Sequence, residues 1–309
     1  MSIVVFGSIN MDLVVRSPRL PKAGETIVGH TFFTAPGGKG ANQSVAAGKL
    51  GADVRLFGSV GDDVFAETLR QSLLGYGVNI DGVFKVTGVP SGVALITVDD
   101  NAENNIVIVP GANNAFPQTG FLQLEAALSK AKILLLQLEI PIEQVISAAQ
   151  MAKAYGVTVI LDPAPARQIP DELYRLADVI TPNETETQVL TGITVNSAED
   201  AAKAATELQR RGVRYAVIKQ GGKGVYWCEA SGSSESVPAF KVKAIDTVAA
   251  GDAFNGGLAL ALSEGKPFAE AIRWGSATGA ISTTRQGAQP SMPSRAEVEQ
   301  CLREGTFGG

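Results

Sequence analysis

The chain predicts an α/β fold: a three-layer α/β/α sandwich with a mainly parallel central sheet, plus a small β-sheet lid. Three observations point there. Short apolar runs rich in Val and Ile alternate with helix-period segments over most of the 309 residues. Two stretches, Leu13–Ala35 and Ser91–Val109, break that rhythm and contain no convincing crossover helix. The 34 glycines exceed the usual share of about 7%, and many cluster where strands give way to helices.

Taken in order, Ile3–Phe6, Val54–Gly58, Ile133–Leu138, Thr158–Leu161, Val179–Ile180 and Tyr215–Lys219 read as strands. Between them Ala41–Leu50, Phe65–Leu74, Ile142–Tyr155, Ser197–Arg211 and Phe268–Thr283 read as helices, Ser197 and Asp200 forming a capping box. This βαβ rhythm implies parallel strands with helices on both faces. The segments Val93–Val98 and Ile106–Val109 are too short for helices and carry β-branched residues. Residues 1–309 are therefore read as one domain, with 13–35 and 91–109 as inserted β segments. These act as a lid, or are plain surface hairpins; periodicity does not separate the two readings.

The composition is that of a folded globular protein, 45% hydrophobic and 18% charged. A formal charge of −5 argues against general nucleic-acid binding, which needs a basic surface. Cys228 and Cys301 have no C-x-x-C spacing, so neither a zinc site nor a disulfide framework is indicated. The N-terminus has no basic n-region and its apolar run is too short for a signal peptide; no stretch reaches the length of a membrane span. The cytoplasm is the expected compartment. His30 is the only histidine, which excludes Ser-His-Asp triads and H-E-x-x-H zinc sites. A general base at neutral pH must be Asp, Glu, Lys, Tyr or Cys.

Three glycine-bearing clusters could carry chemistry. In Pro36-Gly37-Gly38-Lys39-Gly40-Ala41-Asn42-Gln43, consecutive glycines precede a helix N-terminus, and Lys39 and Asn42 add donors suited to hydroxyls or an anion. It is not a Walker A loop, because glycine follows Lys39; the plain alternative is a tight turn. In Asp246–Gly257, apolar residues recur at Phe254, Leu258 and Leu262, so Ala249-Ala250-Gly251-Asp252 falls at a helix start. Free N–H groups there can hold charge on a phosphoryl group, unless Asp252 merely complements the helix dipole. That dipole should lower the Asp252 pKa, which suits phosphoryl transfer better than carbon acid chemistry. The third cluster, Lys219-Gln220-Gly221-Gly222-Lys223-Gly224, is a strand ending in a glycine-rich turn, a weak nucleotide signal by itself.

Asn183 and Glu186 could bind Mg²⁺ through water, or form a routine helix cap. Glu139, Asn10 and Asp12 follow apolar strands, where ligands sit in an open α/β sheet. No G-x-G-x-x-G opens a βαβ unit, which disfavours a dinucleotide-dependent oxidoreductase.

The run Gly7-Ser8-Ile9-Asn10-Met11-Asp12, the Gly37–Gln43 stretch, Pro182–Glu186 and Asp246–Asp252 resemble the ribokinase-like carbohydrate kinases, in order and spacing across nearly the whole chain. The resemblance implies a ribokinase-like fold and transfer of the ATP γ-phosphate to the 5-hydroxyl of a free pentose, with ribose leading. Another free sugar (deoxyribose, fructose or a sugar acid) or a non-catalytic sensing relative stays open. Asp252 would be the base, with the Ala249, Ala250 and Gly251 amides as anion hole. Asn10, Asp12, Gly38, Lys39, Asn42 and Glu139 would hold the sugar. Asn183, Lys219, Gly221, Gly222, Lys223, Gly224, Gly251 and Ser276 would line the nucleotide, with Mg²⁺ near Asn183 and Glu186.

The resemblance further implies K⁺ between Asp246 and Val248 on one side and Ser282, Arg285, Gly287 and Ser291 on the other, and a homodimer formed through the β-lid. Three positions depart from the family pattern. Ala249 stands where glycine is common, and its methyl matters only if φ is positive there. Lys219 replaces a frequent threonine, and Ser276 replaces an amide or imidazole.

Overall fold

The computed structural model describes residues 2–101 and 103–308. The chain opens with β1 (Ile3–Phe6), β2 (Asn10–Ser17), β3 (Thr31–Gly37), α1 (Lys39–Lys49), β4 (Val54–Val60), α2 (Val64–Gly75) and β5 (Asn79–Lys85). Next come β6 (Gly92–Asp99), β7 (Asn104–Val109), α3 (Gln118–Leu128), β8 (Ile133–Leu136), α4 (Ile142–Ala154), β9 (Thr158–Leu161) and α5 (Asp171–Leu176). It continues through β10 (Val179–Ile180), α6 (Glu184–Thr191), α7 (Ala198–Arg210), β11 (Tyr215–Lys219), β12 (Val225–Glu229) and β13 (Ser234–Val237). The last helices are α8 (Ala250–Ser263), α9 (Phe268–Ser282) and α10 (Arg295–Glu304).

A nine-stranded sheet runs β13-β12-β11-β10-β9-β8-β1-β4-β5, with every pairing parallel except the two made by the reversed strand β12. Strand alternation explains why both faces are covered. Ile3, Val5, Ile133 and Leu135 point into one core with residues of α1, α2, α8 and α9. Val4, Phe6, Leu134 and Leu136 point into the other, with residues of α3, α4 and α7. Fully burying each such side chain contributes about 1.5–3 kcal/mol, so a one-residue register slip would be costly. Winding proceeds outward from β1 through β4 to β5, and oppositely through β8 to β11. The sense reverses between β1 and β8, the switch point where open α/β sheets leave a crevice at the strand carboxyl ends.

The second sheet has four strands in the order β3-β2-β6-β7. Its strands β2 and β3 span Asn10–Ser17 and Thr31–Gly37, so the first inserted segment is wider than 13–35: pairing begins at Asn10↔Gly37. Several of its large apolar side chains are exposed, Phe32, Leu95 and Val107 on one face and Ile106 on the other. Among the described residues no helix is long and apolar enough to cross a membrane.

The Ser197–Asp200 capping box is present. The strand expected to reach Leu138 ends at Leu136, and Leu138 N donates instead to Ala164 O, 2.8 Å. Strand β5, helices α3, α5 and α10 and the β12–β13 hairpin are not among the elements expected from sequence.

Candidate active site

The crevice is built where the β1–β2 connection, the first turn of α1 and the first turn of α8 meet. Gly38 caps α1 at φ 90°, and a Cβ there would lie 2.7 Å from Asn10 N, so the backbone can pass only as glycine. The α1 amides then take partners from the strand ends. Ala41 N donates to Ser8 O at 3.0 Å, and Lys39 N to Glu139 Oε2 at 3.3 Å. Ser8 Oγ donates to the same Glu139 oxygen. A helix N-terminus therefore holds the Glu139 carboxylate, as its partial positive charge favours.

Asp12, on β2, lies against Gly37, where a Cβ would come within 2.4 Å of its carboxylate. Burial, then the charges of Glu139 and Asp252, push Asp12 up to about 7, against the pull of Lys39. Burial alone would depress Lys39, but Asp252, Glu139, Asp162 and Glu186 hold it above its ordinary value. It therefore stays an ammonium. Asn10 Oδ1 accepts from Asn113 Nδ2, 2.6 Å. Asn42 keeps a buried Oδ1 without a protein partner.

Asp252 is buried in the first turn of α8. Asn42 Nδ2 donates to its Oδ2 at 3.0 Å and Gln43 Nε2 to its Oδ1 at 3.1 Å. The dipole argument expected a lowered pKa; the structure reverses it. Burial raises Asp252 to about 6, with Lys39 and the two amide donors opposing and Asp162 adding to the rise. Desolvation outweighs the helix terminus because Asp252 is only 5% exposed.

Of the expected anion-hole amides, Ala250 N donates to Thr247 O, 3.3 Å, while Gly251, with Asp252 beside it, presents a first-turn amide free of the helix ladder. Ala249 has φ 59°, the one non-glycine residue at positive φ among those described, so its extra methyl does carry strain.

Beyond Asp252 the crevice continues along β9, β10 and β11. Asn183 caps α6 and exchanges hydrogen bonds with Glu186: Asn183 N donates to Oε2 at 2.7 Å and Nδ2 to Oε1 at 3.0 Å. Glu186 is raised by burial and then by Asp162. Asn183 also bridges to Lys219 in parallel register. Gly221, Gly222 and Lys223 form a single tight turn leading through Gly224 into β12, with Lys223 Nζ 3.7 Å from Glu184. On α9, Ser276 Oγ is buried with no protein partner.

Asp246 ties two loops together, accepting from Val248 N at 3.0 Å and from Gly287 N at 2.9 Å. Ser282 and Ser291 are buried, their hydroxyls donating to Gly279 O and Ala288 O. The Arg285 guanidinium pairs with Glu297, so only its backbone could face a cation between the loops.

Four residues that complete this arrangement were not singled out from sequence. Gln137 Nε2 donates to Gln43 Oε1 at 2.7 Å, and Gln43 Nε2 also reaches Asp162 Oδ2 at 3.0 Å. Lys219 Nζ pairs with Asp162 Oδ1 at 3.1 Å. Ser8 carries Glu139. The available signal was position: Asp162 directly follows the apolar strand Thr158–Leu161, where crevice residues fall.

Known proteins are similar to this chain along nearly its whole length. Residues 1–295 match the family model for pfkB family carbohydrate kinases. Ribokinase of Haemophilus influenzae is 44% identical over 301 residues, covering 97% of this chain and 98% of the relative. Deoxyribokinase of Salmonella typhimurium is 37% identical over 303 residues, covering 98% and 99%. The structure of Arabidopsis thaliana ribokinase complexed with ribose and ATP superposes with a TM-score of 0.92 at 36% identity, covering 98% of both chains. A doubly wound sheet, a buried aspartate at a helix mouth and this likeness along the entire chain lead to one conclusion: the protein belongs to the pfkB family of carbohydrate kinases.

Proposed function

We propose that the protein transfers the γ-phosphate of ATP to the 5-hydroxyl of D-ribose, giving ribose 5-phosphate and ADP. The observation that carries this reading is Asp252, buried at the mouth of α8 and fixed by Asn42 and Gln43. With a pKa of about 6 it is ionised at neutral pH and can take the hydroxyl proton. The sugar oxygen attacks the γ-phosphorus, the bond to the β,γ-bridging oxygen breaks, and ADP leaves. Charge on the moving phosphoryl group is met by the first-turn amides of α8.

Asn10, Asp12, Lys39, Asn42 and Glu139 converge on the sugar side and offer the mixed donors and acceptors that several hydroxyls need. A sugar already phosphorylated fits poorly, because the charge of Lys39 on the sugar side is already offset by those of Asp252, Glu139, Asp162 and Glu186. The nucleotide would run past Lys219, Asn183 and the Gly221–Gly224 turn, with Ser276 on α9 behind it.

Two metals fit. Among the described residues no three His, Cys, Asp or Glu side chains form a cage for an ion, so Mg²⁺ would be carried by phosphates and water beside Asn183 and Glu186. The raised, buried Glu186 carboxylate next to Asp162 is a place where added positive charge is favourable. K⁺ would lie between the Asp246–Val248 and Ser282–Ser291 loops, using Asp246, backbone carbonyls and serine lone pairs. Bound there, it would add fixed positive charge near the α8 mouth.

The outward apolar face of the lid, with Phe32 62%, Leu95 49% and Val107 59% exposed, supports a homodimer in which two lids cover each other. Neighbouring exposed apolar side chains of this kind mark interaction surfaces, and closure would keep water from accepting the phosphoryl group. A substrate of ATP fits a cytoplasmic enzyme.

The test is ADP release from Mg-ATP with K⁺ across ribose, 2-deoxyribose, fructose, fructose 6-phosphate and adenosine. Preferential turnover of ribose is expected. Preference for 2-deoxyribose would move the substrate and keep the chemistry; no turnover of any, by folded protein that binds ATP, would replace the kinase with a sensing relative.

A further inference from the structure

We propose that Lys219 is a catalytic residue that grips the terminal, transferred phosphate of the nucleotide, and that Asp162 is the positioning residue that aims it. The proposal rests on the kinase reading above and gives that site its missing cation.

The geometry is specific. Lys219 ends β11 and Asp162 follows β9, so both stand at strand carboxyl ends in the crevice. The Asp162 side chain is 3% exposed and that of Lys219 13%. A carboxylate so deeply buried needs a fixed partner, and it has two: Lys219 Nζ at 3.1 Å and Gln43 Nε2 at 3.0 Å. Gln43 Nε2 lies in turn 3.1 Å from Asp252 Oδ1. The ammonium is therefore linked to the proposed base through one carboxylate and one amide.

Its other side faces the α8 mouth. A Cβ built on Gly251 would meet Lys219 Nζ at 3.2 Å. An ammonium has three donors; Asp162 takes one, and the remaining two are free to meet an anion seated on the Gly251 and Asp252 amides. A phosphoryl group in reach of Asp252 and of those amides is also in reach of Nζ. Lys39, the other buried cation here, has Asp252 and Glu139 as its strongest attractors and belongs to the sugar side.

The role is electrostatic. As the sugar oxygen bonds to phosphorus and the bridging oxygen departs with ADP, Lys219 donates N–H to an equatorial oxygen and forms no bond to phosphorus. The proton goes to Asp252. A backbone amide cannot supply this full charge, and neither could the threonine common at this position.

The experiment compares Mg-ADP with the non-hydrolysable analogue Mg-AMP-PNP by calorimetry, for wild type, Lys219→Met, Asp162→Asn and the double variant. Turnover of ribose is measured in parallel. Removing a charge-assisted contact to the terminal phosphate should weaken AMP-PNP roughly 10- to 100-fold and leave ADP within about twofold. kcat should fall on the order of 100-fold, as when one transition-state donor is lost. Lys219→Met strands a buried carboxylate; the double variant removes both charges and keeps the test alive if the single one misfolds.

For Asp162, the readout is coupling. Asp162→Asn should weaken AMP-PNP in the wild-type background and add nothing in the Lys219→Met background, whereas a merely structural aspartate would add its loss in both. Equal weakening of ADP and AMP-PNP, or of neither, overturns the proposal. The two binding arms are read whether or not any sugar is phosphorylated, so failure of the ribose reading is seen separately, in wild-type turnover.

Discussion

Replacing Asp252 by Asn should produce a protein that is inactive and more stable. In the folded chain burial raises this carboxyl from 3.8 to about 6. Its ionised form is thereby disfavoured on folding by about 3 kcal/mol. Because the folded pKa is the higher one, stability linked to this group is fully present below pH 3.8 and lost as pH rises through about 6. At pH 8 the wild type bears the whole deficit, and a neutral amide bears none.

The amide must still find partners, since Asn42 and Gln43 both donate to the carboxylate. Asn42 has a spare buried Oδ1, so a flip of its amide can accept from the new Nδ2. Less about 1 kcal/mol for imperfect bonding, Asp252→Asn should gain about 2 kcal/mol at pH 8, and the gain should shrink toward pH 4. Denaturant melts at pH 8 and pH 5 measure this. Turnover should drop by roughly 10²–10⁴, the worth of a positioned base, while sugar binding persists. A variant less stable than wild type at pH 8, or one turning over within tenfold of it, would refute the account of Asp252 as a strained, buried base.

Other outcomes follow from the same geometry. Wild-type kcat/KM should fall as pH drops through about 6, because protonated Asp252 cannot accept the hydroxyl proton; a flat profile from pH 8 to 5 contradicts this. Ala249→Gly should raise stability in a denaturant melt by about 0.5–1 kcal/mol, relieving the left-handed alanine less the extra freedom of glycine; a loss above about 1 kcal/mol would mean the methyl's packing outweighs its strain. Val107→Asp on the exposed lid face should convert a dimer to single chains in sedimentation, and an unchanged mass would remove that face from the interface. Replacing K⁺ by Na⁺ should lower turnover in wild type and have little further effect in Asp246→Ala, whose loop tie to Gly287 is gone.

Much of this molecule is local, and what is local was legible in the sequence. Val/Ile runs alternate between two helix-covered faces, so β1, β9, β10 and β11 follow from composition and period. The Ser197–Asp200 box depends on residues three apart. Positions just past strand ends, such as Glu139 and Asn183, are crevice positions by topology. Hairpin strands β12 and β13 were missed because short, mixed-polarity strands are held by cross-strand pairing, such as Ala216↔Cys228 and Trp227↔Glu235, and a linear pattern does not carry that.

The tertiary structure decided the electrostatics. Asp162 joins Lys219 to Gln43 and, through it, to Asp252 across separations of up to 209 residues in the chain; no spacing rule brings residues 43, 162, 219 and 252 together. Sequence placed Asp252 on a helix N-terminus and therefore expected a lowered pKa. Folding removed the water around it and set Asp162 nearby, and desolvation of a buried charge outweighs a helix terminus. The positive φ of Ala249 was settled in the same way, by where the loop had to deliver α8. Residue types and order determined the fold family and the list of participants; only packing, which sets distance and dielectric, determined which of them share a proton or a charge.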